Sequence, residues 1–113
     1  MLSIPQSLGG VITPDGECAW NENEIQEVVE FARSKCYIIL GGDVLTEQLT
    51  YSGDNWFYAP KRDSSFQRFS EKSVLESYRK AKDYISSYTK AHTVHAFFTL
   101  VCVDTLTGFI QAS

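Results

Sequence analysis

Ile25, Val28, Val29 and Ala32 recur at the spacing of one face of an α-helix, and in a strand the same four residues would scatter over both faces. Asn21 stands just ahead of them as an N-cap, with Glu24 three residues further on, as in a capping box. Glu22, Glu24, Glu27 and Glu30 lie mainly off the apolar stripe, and Arg33 and Lys35 close the segment, the charge order that the helix dipole favours. The pattern predicts a helix over roughly residues 22–35. Val74, Leu75, Tyr78, Ala81, Ile85 and Tyr88 form a second stripe, about four turns long, behind Ser70 as a candidate cap. Two helices that are each apolar on one side need a surface to cover, and that requirement shapes the reading of the rest of the chain.

The remainder reads as strands and turns. Gly9-Gly10 and Pro14-Asp15-Gly16 bracket Val11-Ile12-Thr13, a short edge strand. Cys36 to Leu40 is a run of β-type residues that reads as a buried strand, with Gly41-Gly42-Asp43 directly behind it. Glycines at that place permit a bulge or the close approach of another backbone. Val44 to Tyr51 can pair back as a second strand, Ser52-Gly53-Asp54-Asn55 is a turn signal, and Trp56-Phe57-Tyr58 resumes β-type residues before Pro60. Lys61 to Phe69 reads as a basic, polar loop. Val94 to Val103 reads as a central strand, Asp104 to Gly108 as a turn, and Phe109-Ile110 as a returning edge strand. The expected fold is α+β, a mainly antiparallel sheet of about four strands with two helices covering one face.

Length and charge narrow the function. With 113 residues the chain is expected to be one domain over residues 1–113. Its longest strongly apolar runs, Cys36 to Leu40 and Ala96 to Val103, fall far short of the ~20 residues that span a bilayer. Met1-Leu2-Ser3-Ile4-Pro5 shows no basic region followed by an apolar stretch, so no secretory signal is expected. A net charge of −4 offers no basic excess for phosphates, which argues against direct nucleic-acid binding. The acids are concentrated early. Residues 1–54 hold nine of them against Arg33 and Lys35, whereas residues 55–113 hold five against eight bases. Cys18, Cys36 and Cys102 are odd in number and show neither a Cys-x-x-Cys pair nor a zinc spacing. Cys36 and Cys102 sit in apolar stretches and are expected to be structural and reduced, which points to the cytoplasm.

No catalytic constellation stands out. Asp43 reads either as a carboxylate presented at a strand kink or as a side chain bonding its own turn, and Asp54 invites the same two readings. A metal or acid–base pair of Asp43 and Asp54 needs them to converge, which their spacing does not ensure. His92 and His95 form a His-x-x-His pair without a zincin motif. Gly9-Gly10 and Gly41-Gly42 lack phosphate-loop patterns, and no metal or cofactor is expected. Trp56 and Tyr58 share a strand parity opposite Phe57, either as core or as an aromatic anchor at an interface.

Tyr37-Ile38-Ile39-Leu40-Gly41-Gly42-Asp43-Val44-Leu45 followed by Tyr51-Ser52-Gly53-Asp54-Asn55-Trp56-Phe57-Tyr58 resembles the immunity protein 40 family of bacterial polymorphic toxin systems. The later helix, with Ser77, Ala81, Tyr84-Ile85 and Tyr88 ahead of an apolar strand, is similar too. The resemblance covers roughly residues 25–103 and is least clear over the first twenty. It implies an α+β protein that binds and neutralises a cognate toxin domain made by the same cell, with no catalytic residues to carry over. The family's recurrent positions fall on Gly41, Gly42, Asp43, Gly53, Asp54 and Trp56, as scaffold or as interface.

The acidic charge suits that implied role, because an acidic partner is steered toward a basic cleft. The candidate partner-binding residues are Glu27, Glu30, Asp43, Glu47, Asp54, Trp56 and Tyr58. Two alternatives stand beside this reading. One is another interaction module or a homodimer, using Tyr37, Phe57, Tyr58 and the final apolar strand. The other is a metal-dependent enzyme using Asp43 and Asp54.

Overall fold

The computed structural model describes residues 4–63, 68–92 and 95–105. The first helix, α1 (Glu22–Ser34), forms where the stripe places it, with Ile25, Val28, Val29 and Ala32 buried. Asn21 Oδ1 accepts the N–H groups of Asn23 at 3.0 Å and Glu24 at 2.8 Å, and Glu24 Oε1 accepts the Asn21 N–H at 3.1 Å. This capping box satisfies donors that a helix start leaves unpaired. The other Glu24 oxygen accepts the Gly10 N–H at 3.2 Å, which ties the N-terminal segment to the helix. The second helix, α2 (Lys72–Ala91), carries buried Val74, Ala81 and Ile85 together with buried Ser73 and Ser77.

The helices cover one antiparallel sheet. Its strands are β1 (Val11–Ile12), β2 (Cys18–Asn21), β3 (Tyr37–Leu45), β4 (Tyr51–Phe57), β7 (Phe97–Phe98) and β8 (Val101–Asp104), while β5 (Arg62–Asp63) pairs separately with β6 (Arg68–Phe69). The main order is β1-β2-β7-β3-β4, and β8 also pairs with β3. The α+β class holds, and among the described residues the sheet has six strands against an expectation of about four.

The strand boundaries differ from expectation in instructive ways. β3 does not stop at Leu40 but continues through Gly41-Gly42-Asp43 to Leu45, with a register shift between Ile39 and Gly41. The turn falls at residues 46–50, where the Thr46 N–H reaches the Thr50 carbonyl at 2.7 Å and Leu49 takes φ 64°. Ser52 to Asn55 therefore lie within β4, and the turn-forming tendency of Gly53 and Asp54 is absorbed by a second register shift, with Gly53 at φ 98°. The final apolar run is two short strands on either side of Thr99 and Leu100. The expected loop from Lys61 to Phe69 contains the β5–β6 pair and ends on a buried Phe69. Phe109 and Ile110 lie outside the described residues.

Two apolar clusters follow from the shift in β3. Ile39, Val44, Trp20, Trp56, Phe98 and Cys102 join the buried faces of α1 and α2, and each fully buried Ile or Val side chain there contributes about 1.5–3 kcal/mol. Ile38 and Val103, adjacent in the strands and so on the opposite face, pack under Phe69 and Val74. That second cluster closes the far face at one end of β3. Around Gly41 to Asp43 the same face is left open, with Phe57 exposed beside it, whereas Leu45 further along is buried.

Candidate functional site

The seven residues expected at a partner surface are spread over several faces. Glu27 is exposed on α1. Glu30 is exposed too, but it accepts the Tyr78 hydroxyl and the Lys82 ammonium, the latter at 2.9 Å, and so joins α1 to α2. The Tyr78 hydrogen bond first, and then that of Lys82, hold its carboxyl below the ordinary value. Glu30 in turn holds Lys82 above its own. Glu47 is exposed at the turn between β3 and β4, at the rim of a hollow of about 230 Å³ that Leu45, Tyr88 and Ala96 also line.

Asp54 faces the helices, where it accepts the Tyr88 hydroxyl at 3.2 Å. Burial, and after it the charge of Asp54, raises the hydroxyl pKa of Tyr84; for Tyr88 burial leads and the hydrogen bond to Asp54 follows. Trp56 is core, only 6% exposed. Its ring stacks on Tyr84 at 5.0 Å, and the row continues through Tyr88 to His92, whose ring lies 3.9 Å from that of Tyr88. Tyr58 is half-buried and donates its hydroxyl to Glu76 at 2.8 Å. Here the shared parity of Trp56 and Tyr58 does not carry over to a shared environment, since Tyr58 packs with the second cluster. His92 sits at the C-terminus of α2 with Nδ1 3.0 Å from the Tyr88 carbonyl, and His95 is exposed. Among the described residues no group of three or more His, Cys, Asp or Glu is placed to hold a metal.

Asp43 lies on the open face. Its backbone is held twice by one residue, because its N–H donates to Thr99 Oγ1 at 2.9 Å and its carbonyl accepts the Thr99 N–H at 3.0 Å. Its side chain stands opposite Asn55, one residue out of phase with the buried Trp56. Asp43 and Asp54 therefore sit on opposite faces of the sheet, and the carboxylate pair required by the metal-dependent alternative does not form.

The glycines beside Asp43 are scaffold. A Cβ on Gly42 would overlap the Thr99 carbonyl oxygen and come within 2.7 Å of the Trp56 ring. Gly41 has φ 145°, and a Cβ there would overlap the Trp56 carbonyl oxygen. On the open face they leave a floor without side chains, in a hollow of about 390 Å³ whose lining includes Asp43, Asn55, Phe57 and Val101. A second hollow of about 360 Å³, with Asp15, Glu17 and Tyr51 in its lining, shares Asp43. Phe57 is 67% exposed and Val101 37%. The exposure of Phe57 follows from the parity that buries Trp56. Val101 had no such signal, since it belongs to a run that reads as wholly buried. Cys36 departs from expectation as well. It is exposed at φ 58°, because it ends α1 rather than entering the core, whereas Cys102 is buried as expected.

Fold and face together define a small α+β protein with helices on one side of its sheet and a partly open, acid-bearing face on the other. The model of the immunity protein 40 family matches residues 7–102, and the chain belongs to that family. The match begins well before residue 25 and takes in the β1–β2 hairpin. No curated protein and no solved structure matches the chain. Among the described residues no helix is long and apolar enough to cross a membrane.

Proposed function

We propose that this protein, acting as one domain in the bacterial cytoplasm, binds a cognate toxin domain and blocks its activity by occupancy, without chemistry of its own. Membership of the immunity protein 40 family carries the reading. The surface is compatible with it, because Glu27, Asp43 and Glu47 keep carboxylates that make no hydrogen bond or ion pair with the described residues. Such charges steer association with a basic partner and set its rate more than its final strength.

The test is rescue. The C-terminal domain encoded immediately upstream of this reading frame is expressed in a cell, and growth is scored with and without this protein. Toxicity cured by co-expression is the expected result. A toxic domain that this protein leaves active would overturn the reading.

A further inference from the structure

Gly41 is flanked on both sides within the sheet, by Phe57 of β4 and by Val101 of β8. All three residues share the open face, and strand spacing sets the two side chains roughly 10 Å apart. No side chain rises between them, because φ 145° and the nearness of the Trp56 carbonyl restrict position 41 to glycine. The result is a slot with an aromatic wall, an aliphatic wall and a backbone floor. Two residues along β3 the carboxylate of Asp43 borders the same hollow, with no hydrogen bond or ion pair to the described residues. Asp15 and Glu17 continue the negative charge in the adjoining hollow. Among the described residues no lysine or arginine lines either one.

From this geometry we infer that the slot is a socket for one arginine side chain of the toxin, whose guanidinium meets Asp43 while its stem lies between Phe57 and Val101. The inference rests on the immunity reading and adds to it the face and the residue type recognised. An apolar slot ending in a carboxylate suits a side chain with an apolar stem and a charged head. A planar guanidinium can also stack on Phe57 while it bonds Asp43 with two donors. The charge is single-signed, so the occupant is a basic protein surface rather than a second acidic copy of this chain.

Binding of the upstream-encoded toxin domain to the full chain tests this, with Asp43→Asn, Phe57→Ala and, on the helix layer, Asp83→Asn, an exposed acid of α2. Far-ultraviolet circular dichroism and melting establish that each exposed-site variant keeps its fold. Asp43→Asn and Phe57→Ala are each expected to weaken binding about 10- to 100-fold. Asp43→Asn should also flatten the salt dependence, and Asp83→Asn should stay within about threefold of the parent. Binding of the parent with both socket variants unchanged overturns the socket and leaves the immunity reading standing. A parent that fails to bind overturns the immunity reading and the socket with it. Sedimentation adds one further outcome: a parent dimer that Phe57→Ala dissociates assigns the slot to a second copy and overturns the proposal. Titration of the parent with N-acetyl-arginine amide, read by amide shifts at Gly41, Asp43 and Val101, checks the socket without the toxin. Shifts equal to those caused by N-acetyl-glycine amide overturn it.

Discussion

The Oγ of Ser77, in α2, accepts the backbone N–H of Ile39, in β3, at 2.9 Å. Both residues are fully buried, and the hydroxyl donates onward to the Val74 carbonyl at 3.1 Å. The bond lies beside the register shift between Ile39 and Gly41, where a bulge disturbs the regular ladder. A helix side chain thus completes the hydrogen bonding of the central strand. Ser77→Ala strands that amide in an apolar layer and is expected to cost about 1–3 kcal/mol, measured by urea unfolding. A cost under about 0.5 kcal/mol would show that the amide finds another acceptor.

The glycines of β3 and β4 should respond differently to a methyl group. Gly42→Ala forces a Cβ into the Thr99 carbonyl and the Trp56 ring, and a loss of about 3 kcal/mol or more is expected. At Gly53 the surrounding space is open and only the φ of 98° is at stake, so Gly53→Ala should cost about 1–2 kcal/mol. Thermal melts of the two variants compare them directly. Equal losses would mean that the packing around Gly42 yields.

Glu30 links stability to pH in a known direction. Its folded pKa lies below the ordinary value, through the Tyr78 hydroxyl and then Lys82. Its contribution is therefore complete above the unfolded value and fades as pH falls through the folded one. Lys82 is shifted upward, so its share persists at neutral pH and is lost only under strongly alkaline conditions. Both side chains are well exposed, and Glu30→Gln should cost under about 1 kcal/mol at pH 7. That difference should shrink toward zero as pH falls below the lowered folded value. A difference independent of pH would remove the charged contact from the account.

The three thiols differ in accessibility. Burial pushes the Cys102 thiol up to about 12, whereas Cys36 is exposed. A thiol reagent at about pH 8 reacts with accessible thiolate, and it should label Cys36 rapidly and Cys102 only upon unfolding. Rapid labelling of Cys102 in the folded protein would contradict the packing described.

Cys36 also occupies the left-handed position at the end of α1, with φ 58° and its N–H on the Arg33 carbonyl at 2.9 Å. Glycine takes that conformation without strain. Cys36→Gly should raise stability by a few tenths of a kcal/mol up to about 1, since relief of strain exceeds the added flexibility of the unfolded chain. A lower melting temperature would show that the thiol packs more than its exposure indicates.

Local chemistry made some of this legible in advance. The box of Asn21 and Glu24 involves residues three apart, so its formation needs no knowledge of the rest of the fold. The stripes of α1 and α2 are legible for the same reason. Ser52 to Asn55 show where local reading stops. Their turn tendency is real, yet pairing with β3 holds them in a strand and leaves only a bulge as its trace. Glu30 reads as a free surface acid, and only the approach of α2, 48 residues further on, occupies it.

The sequence alone therefore determined the two helices, the buried stripe of α1, the Val74, Ala81 and Ile85 part of that of α2, the α+β class and the family, because each is written in short-range periodicity or in contiguous motifs. It also placed the acids on the surface, as their solvation demands. The tertiary structure decided which strands pair, that Trp56 is core while Phe57 is exposed, and that Asp43 and Asp54 face apart. It also decided that Gly41, constrained by the carbonyl of Trp56, opens a slot between Phe57 and Val101. Those outcomes depend on register, and one residue of shift in β3 exchanges the two faces of the sheet.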